Sequence, residues 1–266
     1  MTLTIGPAPL GTKPPDEANY TIDGPAHRLL LTPFPRRVRA ALGAATVFDT
    51  ERGQLLHESN LLPVLYVPEA DVDASLLERT DHTTHCPFKG DAAYWTVRSG
   101  DRRAENAMWA YPEPVESASW LAGLVAFSFD RLDHWYDEDE EVFAHLRDPY
   151  HRVDVRPSRR RVIVRVGDEE VADSTAAMVL SENGLPNRWY LPPTDVRTDR
   201  LERSSTVTRC AYKGRAAYWN LTPTAGRPGA ADVAWSYPEP LNDAARVQGC
   251  FCFSGDDVAI EVAPAG

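Results

Sequence analysis

No stretch of this chain approaches the roughly eighteen consecutive apolar residues that a membrane-crossing helix needs. Its opening residues, MTLTIGPAPLGTKPPDEANY, lack the basic start and apolar run of a secretory signal, so the expected compartment is the cytoplasm. Basic charge is also short. Lys and Arg number 28 against 39 Asp and Glu, a net charge of -11, and such a surface repels nucleic-acid phosphates. Neither a nucleic acid nor a membrane is an expected partner. The chain has only four cysteines, Cys86, Cys210, Cys250 and Cys252, and none forms the C-x-x-C pair of a zinc ribbon or a thioredoxin-type site. Reduced thiols are expected.

The apolar content is ordinary, at 43% of 266 residues, and the length suits two domains. A repeat supports that division. HCPFKGDAAYW at 85–95 returns as RCAYKGRAAYW at 209–219, an offset of 124 that pairs Cys86 with Cys210, Lys89 with Lys213 and Trp95 with Trp219. Upstream the same offset pairs Arg36 and Arg37 with Arg160 and Arg161, Glu58 with Glu182, and Tyr66 with Tyr190. Downstream the offset becomes 126, pairing Trp109 with Trp235 and the Tyr-Pro-Glu-Pro at 111–114 with that at 237–240. A two-residue insertion in GRPGAA, 226–231, accounts for the change.

Short apolar runs between turn residues predict strands and hairpins. Val115, Ala118, Leu121 and Ala122 before Gly123 predict one short helix, as do Leu241, Ala244 and Ala245 before Gly249. The expected fold is mainly β (α+β): two tandem small antiparallel β domains, each with one short helix, related by internal duplication. The boundaries are an N-terminal arm over 1–35, a first repeat domain over 36–135, an acidic linker over 136–158 containing DEDEE, and a second repeat domain over 159–266. Two copies form an intramolecular pseudo-dimer rather than a solenoid. The oligomeric state is left open.

Arg-Arg-Val-Arg, a strand ending Tyr-x-Pro, the Cys-Pro-Phe-Lys-Gly segment with its Ala-x-Tyr continuation, A-W-x-Y-P-E-P and a Val-Ala-Phe closing strand together resemble the family called domain of unknown function 427, in its tandem two-copy actinobacterial type. The resemblance covers nearly the whole chain after residue 30. It implies a compact, mostly β domain and leaves the chemistry open. There is no Gly-rich phosphate loop before a helix and no paired-carboxylate metal motif, and no cofactor is expected.

Three readings apply to the shared residues. In the first, Cys86 is a nucleophile whose thiolate is favoured by Lys89 three residues on, with His82 and His85 as acid–base groups and Glu113 beside them. Copy two has Thr206 and Arg209 where copy one has its two histidines, which makes copy one the catalytic candidate. The alternative for this motif is that both cysteines are buried small hydrophobes and that Lys89 pairs with Glu113 to hold the fold. In the second reading, Tyr94, Trp109 and Tyr111, with Trp235, Tyr237, Cys210, Lys213 and Glu239 in copy two, wall a pocket for a metabolite, with Arg37 neutralising an acidic ligand or merely edging a first strand, the latter being the preferred reading of the arginine pairs. On alternating strands Trp109 and Tyr111 share one face, while Tyr94 and Trp95 point oppositely. The same aromatic pairs also stabilise a sheet with no ligand. Metal binding by His57, His82, His85 and Cys86 matches no closed zinc pattern, and no metal site is assigned. His27, His134, His145 and His151 fall in the arm and linker and read as solvated surface. Of the three readings, a small-molecule enzyme centred on Cys, Lys and His is preferred. A non-catalytic binding module and a structural or interaction domain are the alternatives.

Overall fold

Period-two burial shapes the strands. In β2 (Val38–Leu42) the side chains of Val38, Ala40 and Leu42 are buried and those between are half exposed. The computed structural model describes residues 6, 11, 13, 16–226 and 228–264, and its contacts divide into two units, Met1–Tyr150 and His151–Gly266.

In the first unit the other strands are β1 (Leu29–Pro33), β3 (Ala45–Thr50), β4 (Gln54–Glu58), β5 (Val64–Pro68), β6 (Leu77–Cys86), β7 (Gly90–Ser99), β8 (Arg102–Ala110), β9 (Leu124–Phe127), β10 (His134–Asp137) and β11 (Glu140–Val142). Seven form an antiparallel sheet in the order β1-β4-β5-β9-β8-β7-β6, and four form a small sheet, β11-β10-β2-β3. The second unit has β12 (Val153–Pro157), β13 (Val162–Val166), β14 (Glu169–Ser174), β15 (Met178–Glu182), β16 (Arg188–Leu191), β17 (Leu201–Cys210), β18 (Gly214–Leu221), β19 (Ala230–Ser236), β20 (Phe251–Phe253) and β21 (Val258–Val262). Its sheets run β12-β15-β16-β20-β19-β18-β17 and β14-β13-β21. The expected antiparallel, duplicated, mainly β fold is therefore observed. The predicted helices are 3-10 segments, Glu116–Leu121, which is kinked at Ala118, and Asn242–Val247.

Each large sheet buries both faces. In the first unit one face carries Leu55, Leu65, Val67, Met108, Val125 and Phe127 against the small sheet. The opposite face carries Leu56, Tyr66, Tyr111 and Ala126, covered in part by Ala118 and Leu121 of the 3-10 segment. Two segments read from composition as arm and linker contain ordered strands. β1 pairs with β4, and β12 with β15, so each large sheet gains an edge strand. The DEDEE run, read as a solvated linker, instead spans β10 and β11 and is tied to the first unit's arginines. Arg36 donates to Asp137 at 2.5 and 2.6 Å, and the Arg37 amide donates to the Glu138 carboxylate at 3.0 Å. Among the described residues no helix is long and apolar enough to cross a membrane.

The turn that carries the repeated motif is built on glycine. Gly90 has φ +105°, and a Cβ there would lie 3.1 Å from the Glu113 carbonyl oxygen; Gly214 has φ +97° with the Glu239 carbonyl at the same distance. Backbone bonds lock this approach, from the Val115 amide to the Lys89 carbonyl at 3.2 Å and from Leu241 to Lys213 at 3.1 Å. Gly100 also has a positive φ, +57°, but open space around it. Gly90→Ala is therefore expected to cost about 2–3 kcal/mol and Gly100→Ala about 1 kcal/mol. Denaturant unfolding of the two variants checks the order, and equal losses would refute the close-approach account.

Candidate functional site

The register across each large sheet aligns aromatic side chains in one row. Tyr66 lies opposite Ala126, Ala126 opposite Trp109, and Trp109 opposite Tyr94. Residues directly opposite in antiparallel strands share a face, so these side chains stand together, and Trp95 turns to the core on the other side. The Trp109 indole donates to the Tyr66 hydroxyl at 3.3 Å, Thr84 and Tyr94 hydroxyls meet at 2.9 Å, and the His82 ring sits edge-on to Tyr94 at 4.5 Å. In the second unit the row is Tyr190, Cys252, Trp235 and Tyr218, with Trp235 donating to Tyr190 at 3.1 Å and Thr208 meeting Tyr218 at 3.1 Å.

A charged centre lies on the same face. Glu58 ends β4, two residues beyond Leu56 and so on its side of the sheet. Lys89, in the turn before β7, donates to one Glu58 oxygen at 2.5 Å, and the His27 Nε2 meets the other at 2.8 Å. The side chains of Lys89 and Glu58 are 10% and 8% exposed. The Lys89 ammonium lies 5.7 Å above the Tyr111 ring, and Phe88 stacks on His27 with centroids 3.9 Å apart. The second unit repeats each part. Lys213 donates to both Glu182 oxygens at 2.8 and 2.7 Å, His151 Nε2 meets Glu182 at 2.9 Å, and Tyr212 packs on His151 at 4.1 Å. There the histidine side chain is only 3% exposed.

The sequence-predicted residues divide accordingly. Lys89 and Lys213 belong to the centre, Tyr111 and Tyr237 border it, and Tyr94, Trp109 and Trp235 form the aromatic row. Cys86 and Cys210 end strands of the same face, half exposed. Among the described hydrogen bonds none joins Lys89 to the Cys86 thiol, since the ammonium is directed at Glu58. Several expectations need correction. The partner of Lys89 is Glu58, not Glu113; Glu113 and Glu239 are exposed and contribute their carbonyls to the glycine approach. His85 is exposed and bound to Asp91 at 2.6 Å, and consecutive positions put it on the face opposite Cys86. His57 lies between Leu56 and Glu58 and so faces the other side, fully buried, with Nε2 3.0 Å from the Thr32 hydroxyl. Among the described residues no group of three or more His, Cys, Asp or Glu could hold a metal ion. Arg37 is bound to Asp49 at the small sheet, as Arg161 is to Asp173, away from the aromatic row. His27 and His151, read as solvated surface, are instead members of the centre because both bond the buried glutamate. One signal could have found them: the 124-residue offset also pairs His27-Arg28 with His151-Arg152.

Electrostatics fix the proton states of several groups. Burial pushes the Tyr66 and Tyr111 hydroxyls well above the ordinary phenol range, so both stay protonated. Burial likewise raises Tyr190 and Tyr237. The Cys252 thiol is pushed up to about 12 by burial, which makes it an inert core group. Burial also works to raise the Glu182 carboxyl, but hydrogen bonds from His151 and Lys213 and the charge of Lys213 outweigh it, and its pKa falls to about 2.

A profile of the family described as a domain of unknown function (DUF427) matches residues 30–138 and 154–264. No curated protein matches the chain.

Because the folded-state pKa of Glu182 lies below its ordinary 4.5, its stabilising contribution is present above about pH 4.5 and is lost as pH falls toward 2. The expected size is about 3 kcal/mol. Glu182→Gln should therefore flatten the acid limb of the stability curve between pH 4.5 and 2, as read by urea unfolding across that range. An unchanged acid limb would show that the carboxylate is not held as described.

Proposed function

The chain belongs to the domain of unknown function (DUF427) family, which it carries in two copies, and on that premise we propose that each copy binds a small, planar, oxygen-bearing molecule on the aromatic face of its large sheet. One observation carries this reading: the His–Glu–Lys centre stands in both copies with the same three partners, next to the same tyrosines. A structural role alone rewards such a centre poorly. Desolvating two charges costs several kcal/mol per ion, and apolar residues of similar volume often fill such a position equally well. Retention of all three polar members twice is what a binding site explains.

The chemistry on offer is a set of fixed donors and acceptors. An ammonium has three N–H groups, and Lys89 directs one at Glu58. Protonated tyrosine hydroxyls and the ring of Trp109 supply hydrogen bonds and a stacking wall. An oxygen of the ligand would accept from the lysine while its ring lies along the aromatic row. Thiolate attack by Cys86 has less support, because the cation that would favour the thiolate is committed to a carboxylate. Proton transfer through the glutamate and histidine is the catalytic step this arrangement would serve.

Ligand-observed NMR with benzoate and 4-hydroxybenzoate tests the reading. Saturable binding is expected to the native chain and to be lost in a Lys89→Met, Lys213→Met double variant whose circular dichroism shows it folded. Equal binding by both proteins, or a variant changed only in melting temperature with no probe binding to the native chain, would leave the centre a purely structural device and overturn the proposal.

A further inference from the structure

Beside Trp109 the first unit has a half-open cavity of about 170 Å³. Four aromatic residues line it, Trp109, Phe127, Phe129 and Trp135, with Val64, the hydroxyl-bearing Ser128 and His145, whose Nδ1 meets the Leu146 carbonyl at 2.7 Å, also in the wall. The second unit shows what its own chain places at the equivalent position. The offsets pair Val64 with Arg188, Trp109 with Trp235 and Ser128 with Ser254. The Arg188 guanidinium lies 5.6 Å from the Trp235 ring centroid and donates to the Ser254 hydroxyl at the long distance of 3.5 Å. One copy thus seats a cation of its own on the tryptophan and serine, while the other has valine there and leaves a space lined by the same two residues.

We infer that the cavity of the first unit is a binding site for a small organic cation, a quaternary ammonium or guanidinium group. Aromatic faces attract cations through the ring quadrupole, most strongly on Trp, and several rings around one desolvated cation suit weakly hydrated ions. The walls differ between copies in the sense this requires. Where the first unit has Phe129 and Trp135, the second has Gly255 and Glu261, and its Glu261 is bound to Arg165. The net charge of -11 favours cation approach. No member of the His–Glu–Lys centre lines this cavity, and Trp109 alone is common to it and the aromatic row.

Tetramethylammonium and methylguanidinium chlorides are suitable probes, with tert-butanol as the neutral isostere. Both cations are expected to shift the indole N–H resonances of Trp109 and Trp135 saturably, with no comparable effect of tert-butanol. Val64→Arg, which installs the second copy's own cation, should weaken the response about tenfold, whereas Lys89→Met should leave it, so that its loss is distinct from failure of the binding site above. Phe129 is half-buried, and Phe129→Leu keeps the inference testable even if Val64→Arg does not fold: removing one ring of the wall should weaken the Trp109 response to both cations. No saturable shift in the native chain, an equal effect of tert-butanol, an undiminished response in folded Val64→Arg, or an undiminished response in folded Phe129→Leu would overturn the inference.

Discussion

A carboxylate buried against a protein sheet must find cations or lose its charge, and in this molecule that constraint organises each unit. Glu58 and Glu182 each end the strand next to the edge of a large sheet, and their side chains are less than a tenth exposed. Their needs are met from two directions in the chain: a lysine from the turn before β7 or β18, and a histidine from the segment leading into β1 or β12. The edge strand is thereby coupled to the motif turn, and the aromatic face is closed at one end by charge rather than by apolar packing. The glycine at 90 or 214 belongs to the same device, because only a turn that passes close to the backbone of the Tyr-Pro-Glu-Pro segment can aim its lysine at the glutamate.

The duplication works as an internal comparison. What both copies keep is the pairing of row and centre: Tyr, Trp and Tyr across the strands, and His, Glu and Lys at the end. What they do not share is equally informative. The histidine pair flanking Cys86 has no counterpart in the second copy, and in the structure both histidines are exposed, one resting on Tyr94 and the other on Asp91. Around the shared tryptophan the copies diverge again, with an arginine over Trp235 in one and a cavity beside Trp109 in the other.

Much of the fold was legible before any coordinates. Strands followed from short apolar runs between turn residues, the hairpin insertion from the change of offset, and the face shared by Trp109 and Tyr111 from strand geometry. The 3-10 segments were legible as short helices because Ala118 and Leu121 recur one turn apart. The candidate site was legible only in half. Lys89 stood out as a polar survivor of the repeat, yet its partner was sought at Glu113, near in the motif, when the true partner lies 31 residues away on β4. His27 and His151 escaped notice because they precede the first strong stretch of the repeat, in segments whose Pro and charge content reads as arm and linker.

Local periodicity and the internal offset determined that the chain is a duplicated, antiparallel, mainly β protein, since strand faces and turn glycines are consequences of neighbours along the backbone. The tertiary structure alone decided which charges meet. Ion pairing in a sheet depends on which strands lie side by side, and strand order, β1 beside β4 and β4 beside β5, is set by the global burial of two faces rather than by any local spacing. For that reason a glutamate recognisable in the sequence only as a repeated residue becomes, in the folded molecule, the centre on which a histidine and a lysine converge.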